Sequence, residues 1–467
     1  MISLRVTVPL ALLLLSGCVT GPDYTPPQTP LPAKFAEGGV KSDGDVATIA
    51  WWTGFGDPLL TRYVQEGLSQ NLSVLQALER ITAAEANVVA AGAGSLPALT
   101  AGADASISGQ TGNLRTSRGT TRTLGTTASA SWLLDLFGEY RRSKESALAS
   151  LDAAYANTDV AKMALLSNLV SAYIDVRFFQ ARIAIANENL KSRRDTLELT
   201  QFQLEAGAAS RLDVVQAEGL VNSTLSELPP LEINFRVAAH QLATLLGKPA
   251  SSLVSELQRG APQPVARRAV NAGVPADLIR NRPDVRAAER QLAAATAAIG
   301  VAEAQLYPSI TLSGSISPSI TRTPNGNGSI GSWSFGPTLT LPIFDGGALR
   351  ANVDSANSAA REQYLVWKQT VLEAVQDVED ALAAVKRDVQ TVAALRATVK
   401  SYQEALELST ASYKDGASSL LDVLDAQRSV STAQASLAAA VQQMALDYVS
   451  LNVAIGAGYA PGPGNGS

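Results

Sequence analysis

Two aspartates, a tyrosine and a glycine near the C-terminal end are the residues whose spacing could do chemistry. Asp422 and Asp425 lie three positions apart in a strongly helical pattern, so their carboxylates share one face of that helix. Gly416 interrupts the pattern just after Tyr413, and a glycine at such a break predicts a hairpin tip between two helices. Copies of this face around an axis would form an acidic ring, which attracts cations and repels anions at a constriction.

The same spacing has a simpler explanation that needs no function. Aspartate is favoured in the first turn of a helix, because the helix dipole stabilises a negative charge there, and it is common on any helix face that water covers. Spacing alone leaves both interpretations open.

Residues for other kinds of chemistry are scarce. The chain has one histidine, His240, which we interpret as structural, one cysteine and three methionines, so we expect no metal site and no cofactor. Residues 326–331 match a glycine-rich nucleotide-binding pattern, but no helix follows them, and we predict a surface hairpin loop instead. The net charge of −5 and the absence of a basic run argue against nucleic acid as a partner. We therefore expect no enzyme.

The hairpin at Gly416 has a counterpart at Gly207, an offset of 209 residues. Leu96-Pro97 and Tyr307-Pro308 match at an offset of 211. Such self-similarity predicts a tandem duplication, in which each half contains a helix, two strands, a long helix, a hairpin tip and a second long helix.

The two predicted tips carry different side chains. The first tip retains one acid, Asp213, but it has Gln216 in place of the second acid and Leu204 in place of the tyrosine. The charged constriction is therefore assigned chiefly to the second tip.

Four segments alternate apolar and polar residues with a period of two, and they cover about 98–109, 123–136, 308–320 and 332–343. This pattern is typical of a transmembrane β-barrel, although a sheet on a soluble core also shows it. Four strands cannot close a barrel, and open strand edges cannot lie in lipid. If the strands span a membrane, we expect an oligomer that shares one barrel, with eight strands in a dimer or twelve in a trimer.

The predicted helices are long and have coiled-coil periodicity. A helix over about 139–204 would be roughly 100 Å long at about 1.5 Å per residue, which suits the wall of a tube. Apolar residues recur in it every seven positions, at Leu169, Val176, Ile183, Leu190, Leu197 and Leu204.

The N-terminus predicts export and a lipid anchor. Residues 1–17 have the basic residue and the short apolar run of a signal peptide, and Leu15-Ser-Gly-Cys18 resembles a bacterial lipobox with Cys18 as the lipidated residue. An ordinary leader with an incidental cysteine is the alternative. The exported context favours the barrel interpretation of the strands.

The domain organisation follows from these patterns. Residues 18–50 are rich in proline and glycine and predict an extended tether after the lipid. The predicted first repeat covers 51–250, a connector covers 251–274, the second repeat covers 275–456 and a flexible tail covers 457–467.

Several motifs together resemble the TolC/OprM-type outer-membrane efflux proteins, and most closely their lipoprotein, or NodT-like, branch. They are the lipobox, Phe55-Gly-Asp57-Pro58-Leu59, Arg282-Pro-Asp-Val-Arg-Ala-Ala-Glu289 with the residues before it, and Tyr307-Pro-Ser-Ile-Thr-Leu-Ser-Gly314. The resemblance implies a trimer with a shared twelve-stranded outer-membrane barrel, a long periplasmic α-barrel and an equatorial belt that includes the connector. It also implies two partners, a periplasmic adaptor and an inner-membrane pump, commonly of the resistance-nodulation-division class.

The resemblance also implies a periplasmic gate at the hairpin tips. Asp213 matches an acidic position that can partner the tyrosine, and Ser418 stands where some members carry a gate arginine. The implied gate residues are Tyr413, Asp213, Asp422, Asp425 and Arg428, with tips at Gly207 and Gly416.

The expected function is that of a passive export duct in the outer membrane, which partners open at the helix tips. Two alternatives are an exit duct for a type I protein-secretion system and a structural coiled-coil lipoprotein without a pore.

Overall fold

Long helices and one sheet make up the computed structural model, which describes residues 19–37, 46–113, 119–267 and 273–459. The predicted signal peptide and Cys18 lie outside these residues. The helices are α1 (Pro58–Gln70), α2 (Leu72–Ala93), α3 (Glu139–Glu205), α4 (Arg211–Leu245), α5 (Val254–Leu257), α6 (Pro275–Asn281), α7 (Pro283–Ala304), α8 (Ala348–Lys414) and α9 (Leu420–Ala454). The strands are β1 (Ala98–Gly109), β2 (Thr120–Leu134), β3 (Ser309–Thr323) and β4 (Gly326–Thr340).

The chain forms two units, which we name the strand unit and the tip unit. The strand unit contains the sheet, and the tip unit contains both hairpin tips. The strand unit takes its described residues from Met1–Gln28, Arg80–Ala154 and Ala287–Lys368, and the tip unit from Thr29–Glu79, Tyr155–Arg286 and Gln369–Ser467.

The two halves of the chain repeat both element lengths and contacts. Helices α3 and α8 have 67 residues each, and α4 and α9 have 35 each. Asn71 donates from Nδ2 to the carbonyl of Leu245 at 2.8 Å. At the matching place in the second half, Arg282 donates from Nη1 to the carbonyl of Ala454 at 3.1 Å. Equal lengths together with equivalent contacts are what an internal duplication produces.

The four strands form one antiparallel sheet in the order β1-β2-β3-β4. Among the described strands, β1 and β4 are the edges of the sheet, and nearly all of their residues are exposed on both faces. An edge strand leaves a row of backbone N–H and carbonyl groups without ladder partners.

Three strands differ in extent from the sequence prediction. β2 covers Thr120–Leu134 rather than 123–136, β3 covers Ser309–Thr323 rather than 308–320, and β4 covers Gly326–Thr340 rather than 332–343. The prediction of a surface loop at residues 326–331 is wrong, because these residues pair with β3 from Gly326 onwards. The turn occupies only residues 324 and 325, so the glycine-rich segment belongs to the strand.

The segment after Cys18 was predicted to be an extended tether, but its described residues pack on the protein. In the strand unit, Thr20 donates its backbone N–H to the carbonyl of Phe137 at 3.1 Å. The buried Arg142 donates to the carbonyls of Thr20 and Gly21 at 3.0 and 3.1 Å. In the tip unit, Phe35 is fully buried. Proline and glycine content predicted an irregular backbone, but it carried no information about these partners.

The prediction of a flexible tail is also wrong for residues 457–459. Ala457 and Tyr459 are buried, and Trp51 donates from Nε1 to the carbonyl of Ala457 at 3.2 Å. Tyr459 donates its hydroxyl to the carbonyl of Asn281 at 3.1 Å. An aromatic side chain that buries its ring and satisfies its hydroxyl holds this part of the tail in place.

The connector begins with two short helical segments, Ala250–Leu253 and α5. Among the described residues, no helix is apolar enough over a sufficient length to cross a membrane.

A pair of carboxyl groups couples α8 and α9 in the tip unit. Asp388 on α8 faces Asp447 on α9, which accepts a hydrogen bond from Gln443 at 3.0 Å. Oδ2 of Asp388 is buried and has no hydrogen-bond partner among the described residues. Burial, followed by the contact with Asp447, raises the pKa of Asp388 to about 6.

We expect Asp388→Asn to stabilise the protein at pH 8 by about 1 kcal/mol, a value that allows for partial solvent screening. The pKa of Asp388 is higher in the folded than in the unfolded chain, so ionisation destabilises the fold as the pH rises from about 4 to about 6. Melting temperatures of parent and variant should differ at pH 8 and coincide at pH 4. Asp447→Asn should stabilise the protein less than Asp388→Asn at pH 8, because burial, the largest cause of the raised pKa of Asp388, remains; a melting curve equal to that of the parent would contradict the coupling.

Candidate functional site

The two hairpin tips have the same backbone geometry. Gly207 and Gly416 have φ angles of 75° and 70°, in the left-handed region that favours glycine. The N–H of Ala208 bonds to the carbonyl of Gln203 at 2.8 Å, and the N–H of Ala417 bonds to the carbonyl of Ser412 at 2.8 Å. Each tip therefore ends its long helix with a left-handed cap, as the glycines predicted.

The first acid of each tip caps the helix that follows. Oδ2 of Asp213 accepts the backbone N–H of Ser210 at 2.8 Å, and Oδ2 of Asp422 accepts the backbone N–H of Ser419 at 3.0 Å. Ser210 also accepts the N–H of Asp213 at 3.2 Å, which completes a capping box. The structural interpretation of Asp422 therefore applies in the single chain, and its exposed carboxylate still contributes a charge.

The second acid of the C-terminal tip pairs with a base. Arg428 Nη1 lies 2.5 Å from Asp425 Oδ1, and both side chains are exposed on the first turns of α9. Together, Asp422, Asp425 and Arg428 leave one net negative charge on this face of each chain.

Tyr413 lies in the core behind the tip. It is buried in a cluster with residues of the neighbouring helices, and its hydroxyl lies 3.4 Å from Oγ1 of Thr200. Thr200 already donates to the carbonyl of Thr196 at 2.8 Å, so Tyr413 is the donor between the two hydroxyls. The apolar members of this cluster are Ala217, Leu220, Leu420, Val423 and Leu424.

Within one chain, the implied pairing of Tyr413 with Asp213 is not made. Tyr413 bonds to Thr200, and Asp213 bonds to Ser210. The hydroxyl of Ser418, at the position of a gate arginine in some members, donates to the carbonyl of Ser409 at 3.4 Å. Tyr413 is therefore held by a neutral hydrogen bond and apolar packing, rather than by a tyrosine–carboxylate bond.

A buried polar layer behind the tip was missed in the sequence. Gln427 donates from Nε2 to Oγ1 of Thr196 at 2.8 Å, and Arg193 donates to Oγ1 of Thr224. Burial lowers the pKa of Arg193. Within the part of the chain that the structure describes, Nε of Arg193 and Oε1 of Gln427 have no hydrogen-bond partner. One feature of the sequence could have indicated this layer: Gln427 is a polar residue on the face of α9 that otherwise carries apolar side chains, as the packed face of a coiled coil does.

Comparison with known proteins assigns the family. A family model described as "Outer membrane efflux protein" matches residues 63–248 and 274–457. The chain belongs to this family. This membership confirms the resemblance that the motifs predicted. It also places the efflux protein in the outer membrane and among channel components rather than enzymes.

The efflux protein is similar to relatives along its whole length. It is 59% identical to "Nodulation protein T" of Rhizobium leguminosarum bv. trifolii over 458 residues, which cover 98% of each chain. It is 31% identical to "Toluene efflux pump outer membrane protein TtgC" of Pseudomonas putida over 482 aligned positions, 98% of this chain and 96% of the relative. The solved structure of the outer-membrane channel OprN matches it with a TM-score of 0.85 at 31% identity, covering 95% of this chain and 100% of that one.

The described part of the efflux protein contains no group of three or more His, Cys, Asp or Glu side chains that could hold a metal ion. What the tips offer instead is surface charge and a packed hairpin.

Proposed function

We propose that this protein is the outer-membrane channel of a tripartite efflux system. It conducts drugs or other small molecules passively to the exterior, after a periplasmic adaptor and an inner-membrane pump, of the resistance-nodulation-division type, deliver them. The observation that carries the proposal is a four-stranded sheet with two open edges in a chain of the outer-membrane efflux family. A sheet in lipid must pair both edges, and further copies of the chain supply the partners.

The proposed assembly is a homotrimer. Three copies of the sheet form a closed barrel of twelve strands, in which β4 of one copy pairs with β1 of the next. Lipid on Cys18 anchors each chain to the same membrane. Exposed apolar side chains on α4, such as Leu212, Ile233 and Val237, are suited to packing between copies of the helices.

The proposed gate is the ring of hairpin tips at the periplasmic end. Each chain contributes the net negative charge of Asp422, Asp425 and Arg428, so the closed ring favours cations. Opening moves the tips apart, which requires the contacts of Tyr413 and Gln427 with α3 to rearrange. Partners drive this change by binding the open arrangement more tightly than the closed one.

Conductance of the purified oligomer in a planar bilayer tests both the channel and its charged ring. Asp422→Asn removes the charge but keeps an oxygen for the Ser419 N–H, and Asp425→Asn leaves Arg428 unpaired. We expect the potassium-to-chloride permeability ratio to fall by about threefold in the double variant, because the summed charge of these three side chains changes from negative to positive.

Arg428→Gln is the matched control with the opposite sign. It removes the one positive charge from the same face, so cation selectivity should rise above that of the parent. Equal selectivity in all variants would remove the acidic ring from the proposal. A reconstituted oligomer that passes no ions even after Tyr413→Ala and Gln427→Ala loosen the contacts of the tip with α3 would contradict the channel itself and would favour a structural lipoprotein.

A further inference from the structure

An aromatic stack marks the place where the two halves of the sheet meet. Phe137 follows β2 and Tyr307 precedes β3, and their rings lie 4.7 Å apart at an interplanar angle of 15°. β2 and β3 are neighbours, and they pair as far as Leu134 and Ile310 at this end. The stack therefore closes the end of the β2–β3 seam on the helix side of the sheet.

Because the chain is duplicated, it contains a second pair of residues at positions equivalent to Phe137 and Tyr307. The hairpin registers pair Ala98 with Ser131 and Ser309 with Thr340, so β3 corresponds to β1 and β4 corresponds to β2. After β4, Phe344 corresponds to Phe137 in the motif that follows the strand. Before β1, Leu96 corresponds to Tyr307.

This second pair, Leu96 and Phe344, does not form a contact within one chain. Leu96 and Phe344 belong to opposite edges of the sheet, separated by three strand spacings or roughly 14 Å. Both are exposed, Phe344 at 93% and Leu96 at 65%, and Ile343 beside Phe344 is exposed at 90%. Each residue adjoins an edge strand whose backbone has no ladder partner on that side in the described segments.

We propose that Ile343 and Phe344 of one copy pack against Leu96 of the next copy, and that this contact closes the seam between subunits. The contact repeats, between chains, the stack that Phe137 and Tyr307 make within a chain. It rests on the proposed oligomer and specifies one of its contacts. A second copy is the occupant because it also satisfies the backbone of the adjoining edge, which lipid cannot do.

Cysteine cross-linking distinguishes the two seams. Leu96→Cys with Phe344→Cys, treated with a short bifunctional maleimide in isolated membranes, should give bands at two and three chain masses. Either single variant should give at least tenfold less, and the single variants also report any background from Cys18, the one native cysteine. Phe137→Cys with Tyr307→Cys is the matched control, which should link within the chain and stay at one chain mass.

The possible failures of this experiment are distinguishable. An intact oligomer by native mass, with the control pair linked and the test pair unlinked between chains, would overturn the seam contact and leave the proposed channel standing. Reaction of Phe344→Cys with a maleimide confined to the lipid phase would place this side chain in lipid and overturn the contact as well. A protein that stays monomeric would overturn the contact together with the proposed assembly.

Discussion

Replacing Arg282 with methionine should lower the free energy of unfolding by about 2 kcal/mol, because it removes a largely buried guanidinium from two partly exposed acids. Arg282 Nε and Nη2 bond to the two oxygens of Asp284 at 3.0 and 2.6 Å. Nη1 bonds to Asp377 at 2.9 Å and to the carbonyl of Ala454 at 3.1 Å. Methionine keeps most of the side-chain volume but removes the guanidinium donor from Asp377, from Oδ2 of Asp284 and from the carbonyl of Ala454, whereas Oδ1 of Asp284 keeps the N–H of Val285.

Arg387→Met is the matched control for this prediction. Arg387 also forms an ion pair, with Glu37 at 3.0 Å, but its side chain is 61% exposed whereas that of Arg282 is 10% exposed. Exposed pairs contribute about 0–1 kcal/mol, so this variant should unfold almost like the parent. Denaturant unfolding in detergent compares the two, and equal losses would show that burial of Arg282 is not the source of its effect.

Replacing Asp57 with alanine should cost about 2 kcal/mol, because one carboxylate performs two structural tasks. Oδ1 of Asp57 caps α1 by accepting the N–H groups of Leu59 and Leu60 at 2.9 and 3.3 Å. Oδ2 accepts the hydroxyl of the buried Tyr173. That hydroxyl in turn accepts hydrogen bonds from the buried Arg177, at 3.0 Å from Nε and 2.8 Å from Nη2.

Asp57→Ser separates the two tasks. Serine caps a helix about as well as aspartate, but it has no second oxygen for Tyr173, so this variant should recover about 1 kcal/mol of the loss. Denaturant unfolding of the parent and both variants gives the comparison. A serine variant as stable as the parent would show that the Tyr173 bond contributes nothing.

Arg282 and Asp57 lie in motifs that indicate the family but do not predict the contacts of these two side chains. Both belong to stretches that carried the family resemblance, and the family model confirms that resemblance. Neither was a candidate for any particular contact, because the partners of Arg282 include Asp377 and Ala454, far away in the sequence. Their motifs identified the family, and the folded chain shows what the side chains hold together.

The same division applies to the candidate gate. The sequence predicts the tips at Gly207 and Gly416, because a turn between two helices requires a residue in the left-handed conformation, which glycine adopts most easily. The sequence does not predict whether the Tyr413 side chain faces the core or water. A tyrosine one turn before the tip can face water or the core, and the packing of Leu420 and Val423 against it decides for the core.

By itself, the sequence determined the features that depend on neighbours along the chain: the duplication, the strand alternation, the long helices and the two tips. Tertiary structure decided the features that depend on contacts between distant residues. It extended β4 through the glycine-rich segment, and it packed Tyr459 onto the core. It also gave Asp422 a capping role and Asp425 a basic partner. The physical reason is that local propensities recur in every copy of a pattern, whereas burial and hydrogen bonding depend on which surfaces the fold brings together.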